Sequence, residues 1–566
     1  MTNSPKPARR GTGTRLLAFV ALLLLLGSMG GFLYNQKPFD HSSPSEHPRR
    51  LIANTDLHPY GANFFLAQEV EEWKMRKTLE MAKAAGLGWV KQQFSWEEIE
   101  PKKGQFVDDR TRRPSWDKYD RIVSLCEEYG LQIIARLDRV PEWAIRPDAA
   151  GYQGPPQNFN DYGDFVSAFV NHYGTRIRYL QIWNEPNLWY EWGNRIPDAR
   201  EYTELLKIGY QRAKEANPNV YVLAAPLAQT WGDTRAPAEM DFLSQMYQAG
   251  AKDYFDILLA NGFGFAHPPE DPPDPARLNL SRVLLLREIM VQNGDAGKPV
   301  WFSEFGWNAS PASMPADKLL WSRVTEEQQA AYTLQAINLV RQWDWVGVVC
   351  LWYFRQVGDI TPDRSDYYFR LVDVDFTPRL LYQRLKQATA ELGVAGPGYF
   401  EETNPAVTTT GSWRSFREPQ ASGGSYLASG VAGSILTFTF RGNSLEAVVP
   451  QDADMGSLAV TIDGRPANAL PRDKQGRAVL DLRRAAPRWQ ERVVVAQNLG
   501  PGVHKAEFVT ADQGARQAID ALIVRQDEQP RWPAQAALVA CGVGFLATAA
   551  LLGREVWRLR GRGIRD

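Results

Sequence analysis

The chain has 566 residues, 44% of them hydrophobic and 23% charged, so it has room for several domains and the composition of a globular protein. Its formal net charge of −1 gives no electrostatic reason to expect a nucleic-acid partner. The three cysteines and six histidines are scattered, without CxxC or HExxH spacing, and no glycine-rich phosphate loop occurs, so the sequence predicts no disulfide framework, metal site or cofactor.

Two apolar runs bracket the chain, over residues 16–34 and 533–553, and neither contains a charge. Each is close to the ~20 residues that a helix needs to cross the bilayer hydrocarbon. Both are therefore predicted to be transmembrane helices. A cleaved signal peptide is the alternative for the first run, although no convincing cleavage site follows it.

Basic residues flank both runs on their outer sides, in an N-terminal segment over 1–15 and a C-terminal tail over 554–566. By the positive-inside rule both termini face the cytoplasm. The sequence thus predicts a two-pass protein of the cell membrane, with the lipid bilayer as a partner and the intervening chain outside. Residues 35–57, polar and punctuated by proline, are expected to be a juxtamembrane linker.

Residues 58–395 alternate short apolar runs with helical patterns, in eight successive strand–helix pairs. This number and length predict a (β/α)8 barrel. An open, doubly wound sheet is the alternative, but it more often has five or six strands and a glycine-rich phosphate turn.

Residues 405–528 have a different sequence pattern, in which runs that alternate apolar and polar residues, such as ILTFTF and LAVTID, are separated by turn residues. The pattern predicts a C-terminal β-sandwich. Its simplest role is to pack against the barrel, and carbohydrate binding is the alternative.

Two acids stand where predicted barrel strands end, Glu185 in the fourth repeat and Glu304 in the seventh. Catalytic residues of such barrels gather at the C-terminal ends of the strands, so both side chains are expected to face the same mouth. Glycoside hydrolysis requires two opposed carboxyl groups, one to protonate the leaving oxygen and one to meet the developing oxocarbenium ion. The alternative for each acid is structural, as a loop residue or an ion-pair partner.

The surrounding motifs are Asn-Glu-Pro (184–186), Ser-Glu-Phe-Gly (303–306) and RVPEWA (139–144). Together they resemble the clan A retaining glycoside hydrolases, and most of all family 39 and the Psl-type exopolysaccharide glycosidases. The resemblance implies that Glu185 is the acid/base, that Glu304 is the nucleophile, and that Asn184 binds the 2-hydroxyl of the substrate. A carboxyl separation of about 5–5.5 Å is expected for retention.

One segment departs from the family pattern. After the sixth strand the chain reads NGFGF, so Asn261 stands where the family often has histidine, and Phe263 lacks the hydroxyl of the usual tyrosine. Support for the nucleophile is then expected from Gln93, Arg136 or His267, although His267 also fits a plain loop residue.

Aromatic residues near the acids are candidates for stacking on sugar rings. Trp189 and Trp192 follow Glu185 in LWYEW, where simple packing is the alternative. Trp352 ends the eighth strand, where related barrels often place the floor of the central subsite.

The sequence therefore predicts a membrane-anchored retaining glycoside hydrolase that cleaves an extracytoplasmic polysaccharide, with endo action favoured. Two alternatives stay open: an inactive carbohydrate-binding or biosynthesis-associated membrane protein, and an exo-glycosidase. The oligomeric state is not predicted.

Overall fold

The computed structural model describes residues 18–25, 52–149, 153–319, 321–358, 360–390, 392–526 and 532–560. Its largest unit is a closed barrel of eight parallel strands, in which the first strand pairs with both the second and the eighth. The strands are β1 Tyr60–Phe64, β2 Trp89–Ser95, β3 Gln132–Asp138, β4 Tyr179–Ile182, β5 Tyr221–Ala224, β6 Ile257–Phe263, β7 Val300–Gly306 and β8 Val346–Leu351. The predicted (β/α)8 barrel is confirmed, because an open doubly wound sheet would leave two unpaired edges.

A helix follows each strand and covers the outside of the barrel. The helices are α1 Glu72–Ala84, α2 Asp117–Glu128, α3 Phe159–Tyr173, α4 Ala199–Ala216, α5 Glu239–Gln248, α6 Val283–Gln292, α7 Glu326–Val340 and α8 Leu380–Ala388. Their starts follow capping chemistry: Asp198 accepts from the backbone at the start of α4, and Thr325 with Gln328 forms a capping box at α7. Each helix buries the apolar stripe that its sequence periodicity predicts.

The N-terminal ends of the strands are closed by a ring cluster, here called the closed-end cluster: Trp89, Tyr179, Tyr221 and Trp301, with aliphatic neighbours. Both indoles are fully buried, and each donates a hydrogen bond to the chain that leads into β1. Trp89 Nε1 lies 2.6 Å from the carbonyl oxygen of His58, and Trp301 Nε1 lies 2.9 Å from that of Asn54. This end of the barrel is thus packed shut.

The C-terminal region consists of antiparallel sheets, as the period-two pattern predicts. Its strands are β9 Gly398–Glu401, β10 Val407–Thr410, β11 Arg414–Arg417, β12 Ser425–Ser429, β13 Ile435–Arg441, β14 Ser444–Gln451, β15 Ser457–Ile462, β16 Arg465–Pro466, β17 Val479–Asp481, β18 Arg488–Ala496, β19 Val503–Thr510, β20 Gln517–Ile519 and β21 Ala521–Arg525. They form three sheets whose inward side chains share one hydrophobic core. The region joins the barrel at Asp56, whose carboxylate accepts from the Glu401 backbone and the Asn404 amide.

The prediction of two transmembrane helices is wrong for the residues that the structure describes. None of their helices is both long enough and apolar enough to cross a bilayer, which takes ~20 predominantly apolar residues. The described N-terminal helix has only residues 18–25, and the rest of the predicted span 16–34 lies outside the described residues, as do residues 1–15. The C-terminal helix α9 extends over Trp532–Arg560. The predicted two-pass location in the cell membrane and the predicted contact with the bilayer both depended on these helices, and both are wrong for the described residues.

Candidate active site

The structure brings the two predicted acids to the same end of the barrel. Glu304 is the fifth residue of β7 and is buried, whereas Glu185 stands three residues beyond the end of β4 and is half-buried. Both positions are at the C-terminal ends of parallel strands, opposite the closed-end cluster.

Asn261 of β6 lies between the two acids. Its backbone is in register with Glu304 on the neighbouring strand, and its side-chain Nδ2 donates a 2.7 Å hydrogen bond to Oε1 of Glu185. A single amide side chain therefore connects the strand of one acid with the carboxyl group of the other. In the family pattern a histidine often occupies this place, and here the asparagine contacts Glu185.

Glu304 has a cationic neighbour that the sequence analysis did not select. Nζ of Lys91, in the middle of β2, lies 3.4 Å from Oε1 of Glu304, and both side chains are almost fully buried. Burial lowers the pKa of Lys91, while the charge of Glu304 opposes that decrease. An opposite charge beside a carboxylate is one of the interactions that stabilise the anion, the form in which a carboxyl group acts as a nucleophile. Among the described residues, no hydrogen bond or ion pair joins Gln93 or His267 to Glu304.

Glu185 has the opposite electrostatic environment. Burial raises its pKa well above the usual range, and the nearby charges of Glu304 and Glu191 raise it further, against the influence of Arg136 and Lys91. These effects favour the protonated form of the Glu185 carboxyl group. One acid is held neutral and the other lies beside a cation, which is the division of roles that paired carboxyls need.

The backbone around Glu185 is in a rarely populated conformation. Glu185 has φ of 39° and Trp183 has φ of 72°, both in the left-handed region that non-glycine residues seldom adopt. The amide of Glu185 donates to the carbonyl oxygen of Pro226 at 3.1 Å, which ties the β4 end to the β5 end. Strained residues of this kind persist where the surroundings hold them, often at functional sites.

Next to the acids, β2 and β3 contribute a polar network. The carboxylate of Asp138 pairs with Arg136 and accepts a 2.7 Å hydrogen bond from Nε2 of Gln93. These side chains line a cavity of about 170 Å³, the Glu191 cavity, whose lining residues are Gln93, Arg136, Asp138, Arg139, Gln153, Trp183 and Glu191. Gln93 and Arg136 thus lie together in one polar pocket beside the acids.

Asn184 is buried directly before Glu185. Its Oδ1 accepts from Nε2 of Gln181 at 3.2 Å, and its Nδ2 has no hydrogen-bond partner among the described residues. The amide nitrogen is thus available to a ligand, as the resemblance implies for a 2-hydroxyl contact.

The predicted aromatic contacts separate into two groups. Trp192 is fully buried, packs against Trp183, and donates from Nε1 to Glu201 at 2.9 Å, so it belongs to the core behind β4. Trp189 is half-buried at the rim, with the Arg235 guanidinium 5.1 Å from its ring centroid. The structure therefore places Trp192 away from the site and Trp189 on its edge.

Trp352 lies at the mouth, directly after β8. It belongs to a group of rings here called the mouth cluster: Phe65, Phe263, Phe265, Trp321, Trp352, Tyr353 and Phe369. Its Nε1 is buried without a hydrogen-bond partner among the described residues, and the same is true of Oδ1 of Asn261 and Oγ of Ser303. Buried polar atoms in proteins are nearly always bonded, so these atoms mark places where a ligand could complete the network.

His267 lies farther out on the rim loop after β6. Its Nδ1 is 3.7 Å from a carboxylate oxygen of Asp271, and its backbone carbonyl accepts from Nε1 of Trp307. Among the described residues, His267 forms no hydrogen bond or ion pair with Glu185 or Glu304. It lines a separate rim cavity of about 330 Å³ together with the exposed Trp231 and Phe265.

Two charged residues of the site, Lys91 and Glu191, are absent from the set selected by sequence. A signal for Lys91 exists, because Lys91 and Gln93 are two apart in one strand and therefore face the same side. Lysine is rarely buried, so a lysine that faces the interior of a predicted barrel could have been selected as a candidate site residue. Glu191 stands in a short 3₁₀ turn, Trp189–Trp192, where no periodic pattern marks which side chain turns inward.

No protein-family model matches this chain, and no curated protein is similar enough to count as a match. Among solved structures it is similar to a family 39 glycoside hydrolase from the gut symbiont Bacteroides cellulosilyticus, at 19% identity and a TM-score of 0.45 over 82% of each chain. It is also similar to a monomeric beta-xylosidase from Caulobacter crescentus, at 14% identity and a TM-score of 0.44 over 82% of this chain and 97% of that one.

A GH39 enzyme from Xanthomonas axonopodis pv. citri is a third structural neighbour, at 14% identity and a TM-score of 0.43, covering 83% of this chain and 96% of that one. These neighbours are named as glycosidases, and two of them as members of the family that the motifs resemble. At such identities and TM-scores the likeness assigns neither an activity nor a substrate to this chain.

Proposed function

We propose that this protein is a retaining glycoside hydrolase in which Glu185 is the acid/base and Glu304 is the nucleophile. The observation that carries this proposal is the pair of carboxyl groups at one barrel end in opposite electrostatic environments, with Asn261 between them. Burial favours the protonated form of Glu185, while Lys91 lies beside Glu304. A proton donor and an ionised carboxylate are the two groups that the double displacement requires.

In the first step, the Glu304 carboxylate attacks the anomeric carbon and forms a glycosyl ester, while the glycosidic carbon–oxygen bond breaks. The proton of Glu185 moves to the leaving oxygen, which departs as an alcohol. In the second step, Glu185 removes a proton from water, the water oxygen bonds to the anomeric carbon, and Glu304 leaves as a carboxylate. The anomeric configuration is retained because it inverts twice.

The neighbouring polar groups fit sugar binding around that reaction. Nδ2 of Asn184 is available to a hydroxyl beside the anomeric centre, and Nε1 of Trp352 is an unused donor on the other side of Glu304. Arg136 and Gln93 line the adjoining cavity. We assign these residues, with Trp189 at the rim, to substrate binding, and we leave Trp192 in the core.

We further propose a polysaccharide substrate with endo action. Support comes from exposed aromatic rings near the mouth: Trp231 is 73% exposed and Tyr190 is 46% exposed. Together with the rim cavity around Phe265 and His267, they provide surfaces for sugar units of the polymer other than the two at the cleaved bond. An exo-glycosidase usually needs only a closed pocket.

Trapping of the glycosyl ester tests the proposal. The full chain is incubated with dinitrophenyl 2-deoxy-2-fluoro-glycosides of gluco, galacto, manno and xylo configuration, in which the fluorine slows the second step. We expect one sugar to attach to the peptide that contains Glu304, and no attachment in Glu304→Gln. The matched control is Glu98→Gln, an outward acid of the same rim that pairs with Lys118.

Attachment at another residue contradicts the assignment of Glu304. Binding of oligosaccharides without attachment, and without turnover across the panel, supports the carbohydrate-binding alternative. Once a substrate is found, NMR of the first-formed product should show the anomer of the starting glycoside. Digestion of a polymer to a ladder of oligosaccharides supports endo action, and release of monosaccharide alone supports exo action.

A further inference from the structure

The charges of the site do not balance. Three cations stand near the acids, and each already has an acidic partner: Lys91 with Glu304 at 3.4 Å, Arg139 with Glu97 at 3.0 Å, and Arg136 with Asp138. Among the described residues, the carboxyl groups of Glu185 and Glu191 form no ion pair. Glu185 is needed as a proton donor, so Glu191 is the surplus acid.

Glu191 is placed to contact a ligand. It follows β4 in the turn Trp189–Trp192, where its backbone carbonyl accepts from Nε1 of Trp183 at 3.0 Å. That bond fixes the turn, while the carboxyl oxygens have no hydrogen-bond partner among the described residues. The carboxyl group lines the Glu191 cavity next to Arg136 and Asp138.

We propose that the Glu191 cavity is a subsite for a sugar residue that carries a free amino group, and that Glu191 binds its ammonium. This rests on the proposed function, because it adds a substrate class to the same cleft. An ammonium would supply the ion-pair partner that Glu191 lacks among the described residues, and charge-assisted hydrogen bonds of this kind are the strong ones. A uronic acid would bring a further carboxylate beside Glu191, while the two arginines of the lining, Arg136 and Arg139, already have acidic partners.

The size of the cavity agrees with a single sugar unit. Its volume of about 170 Å³ is below the roughly 300–1,000 Å³ of pockets that enclose drug-sized ligands. Gln93 and Gln153 add amide donors and acceptors for hydroxyl groups, and Trp183 adds an apolar wall. The subsite thus combines one charged contact with neutral contacts to a ring.

The acid–base behaviour of Glu191 gives this subsite a pH dependence. Burial raises its pKa to about 7; Asp138 and Glu304 also raise it, and Arg136 and Arg139 oppose them. Below that pH the free protein holds a proton on Glu191, which an incoming ammonium must displace. Affinity for an amino sugar should therefore fall as the pH decreases from 7.5 to 5.

Monosaccharides test the proposal, because they contain no glycosidic bond to another sugar and cannot be hydrolysed. Binding to the full chain is measured by ligand-observed NMR at pH 7.5 and pH 5. The probes are glucose and galactose, their aminodeoxy derivatives with the amine at C2, C3 or C6, the N-acetylated forms, and glucuronate. At pH 7.5 we expect at least one aminodeoxy sugar to bind about tenfold more tightly than its N-acetylated and parent forms, the gain of one charge-assisted hydrogen bond.

Variants separate a binding role from a structural one. Glu191→Gln has nearly the same shape and should lose the amine preference, whereas Glu191→Asp keeps the charge and should retain part of it. Glu98→Gln should bind like the wild type. The proposal is overturned if amino and N-acetylated sugars bind equally, if glucuronate binds best, or if Glu191→Gln keeps the preference.

The failures of the two proposals are distinguishable. An amine preference with no covalent labelling at Glu304 contradicts the hydrolase and leaves the subsite intact. Labelling at Glu304 without an amine preference supports the hydrolase and contradicts the amino-sugar subsite.

Discussion

The two ring clusters of the barrel show how differently its ends are built. In the closed-end cluster, the indole nitrogens of Trp89 and Trp301 donate to backbone carbonyls, and the rings are fully buried. In the mouth cluster, Trp352 is half-buried and its Nε1 has no partner among the described residues. The two indole donors of the closed end are satisfied within the chain, whereas the mouth leaves the indole donor of Trp352 for a ligand.

The largest effect should come from Glu304, at the mouth. Glu304→Gln removes the attacking carboxylate, so kcat should fall more than about 10⁴-fold, as for other catalytic nucleophiles. Initial rates on the substrate found by the glycoside panel check this, with circular dichroism to verify folding and Glu98→Gln as control. A variant with more than a tenth of wild-type activity would exclude Glu304 as nucleophile.

At the closed end, a substitution should lower the stability of the protein instead of its activity. Trp301→Ala removes a fully buried ring and the hydrogen bond from its indole to Asn54, so the free energy of unfolding should fall by about 3–5 kcal/mol. Urea unfolding followed by tryptophan fluorescence measures the loss. The kcat of the folded protein should stay within about twofold; a selective loss of kcat would mean that the closed end takes part in catalysis.

Asn261 should affect the rate through the position of Glu185. Asn261→Ala removes the 2.7 Å hydrogen bond to the carboxyl group of the acid. The free energy of a hydrogen bond to this acid corresponds to a decrease in kcat of about 10- to 100-fold. The KM should change less than kcat if the side chain positions the acid, and an unchanged kcat would reject this role.

Trp352→Ala is the counterpart of the closed-end substitution. Because the ring is half-buried, its removal should cost less stability than that of Trp301, while kcat/KM should fall about tenfold from the lost stacking and indole donor. The same urea titration and the same substrate serve for both variants. If Trp352→Ala and Trp301→Ala lost equal stability and kcat/KM did not change in Trp352→Ala, the proposed functional difference between the two clusters would be contradicted.

The smallest effect should be a pH-dependent change in stability at Glu191. Since burial raises the pKa of Glu191 to about 7, the folded protein binds this proton more tightly than the unfolded chain, whose pKa is about 4.3. The carboxyl contribution to stability is then fully present below pH ~4.3 and is lost as the pH rises to about 7.

Glu191→Gln should therefore raise Tm relative to wild type more at pH 7.5 than at pH 4.5. Thermal scans at the two pH values measure the difference, with Glu98→Gln as control. A Tm difference that does not vary with pH would contradict a raised pKa in the folded protein.

The barrel and the two strand-end acids could be predicted from sequence because both depend on local patterns. Eight alternations of strand and helix periodicity define the repeat, and parallel strands bring their C-terminal ends to one edge. Placing Glu185 and Glu304 at one mouth therefore needs no knowledge of side-chain contacts. The apolar runs were a local pattern too, but their transmembrane interpretation was wrong for the described residues.

What the sequence determined by itself is the repeat, the order of the strands and the two acids at their ends, since these follow from spacing along the chain. Only the tertiary structure decided that Trp192 packs in the core, that Lys91 rather than His267 lies beside Glu304, and that Glu191 lines a cavity whose two arginines are paired with other acids. Such contacts join residues from different strands, and their distances depend on the register and closure of the whole barrel, which no local pattern contains.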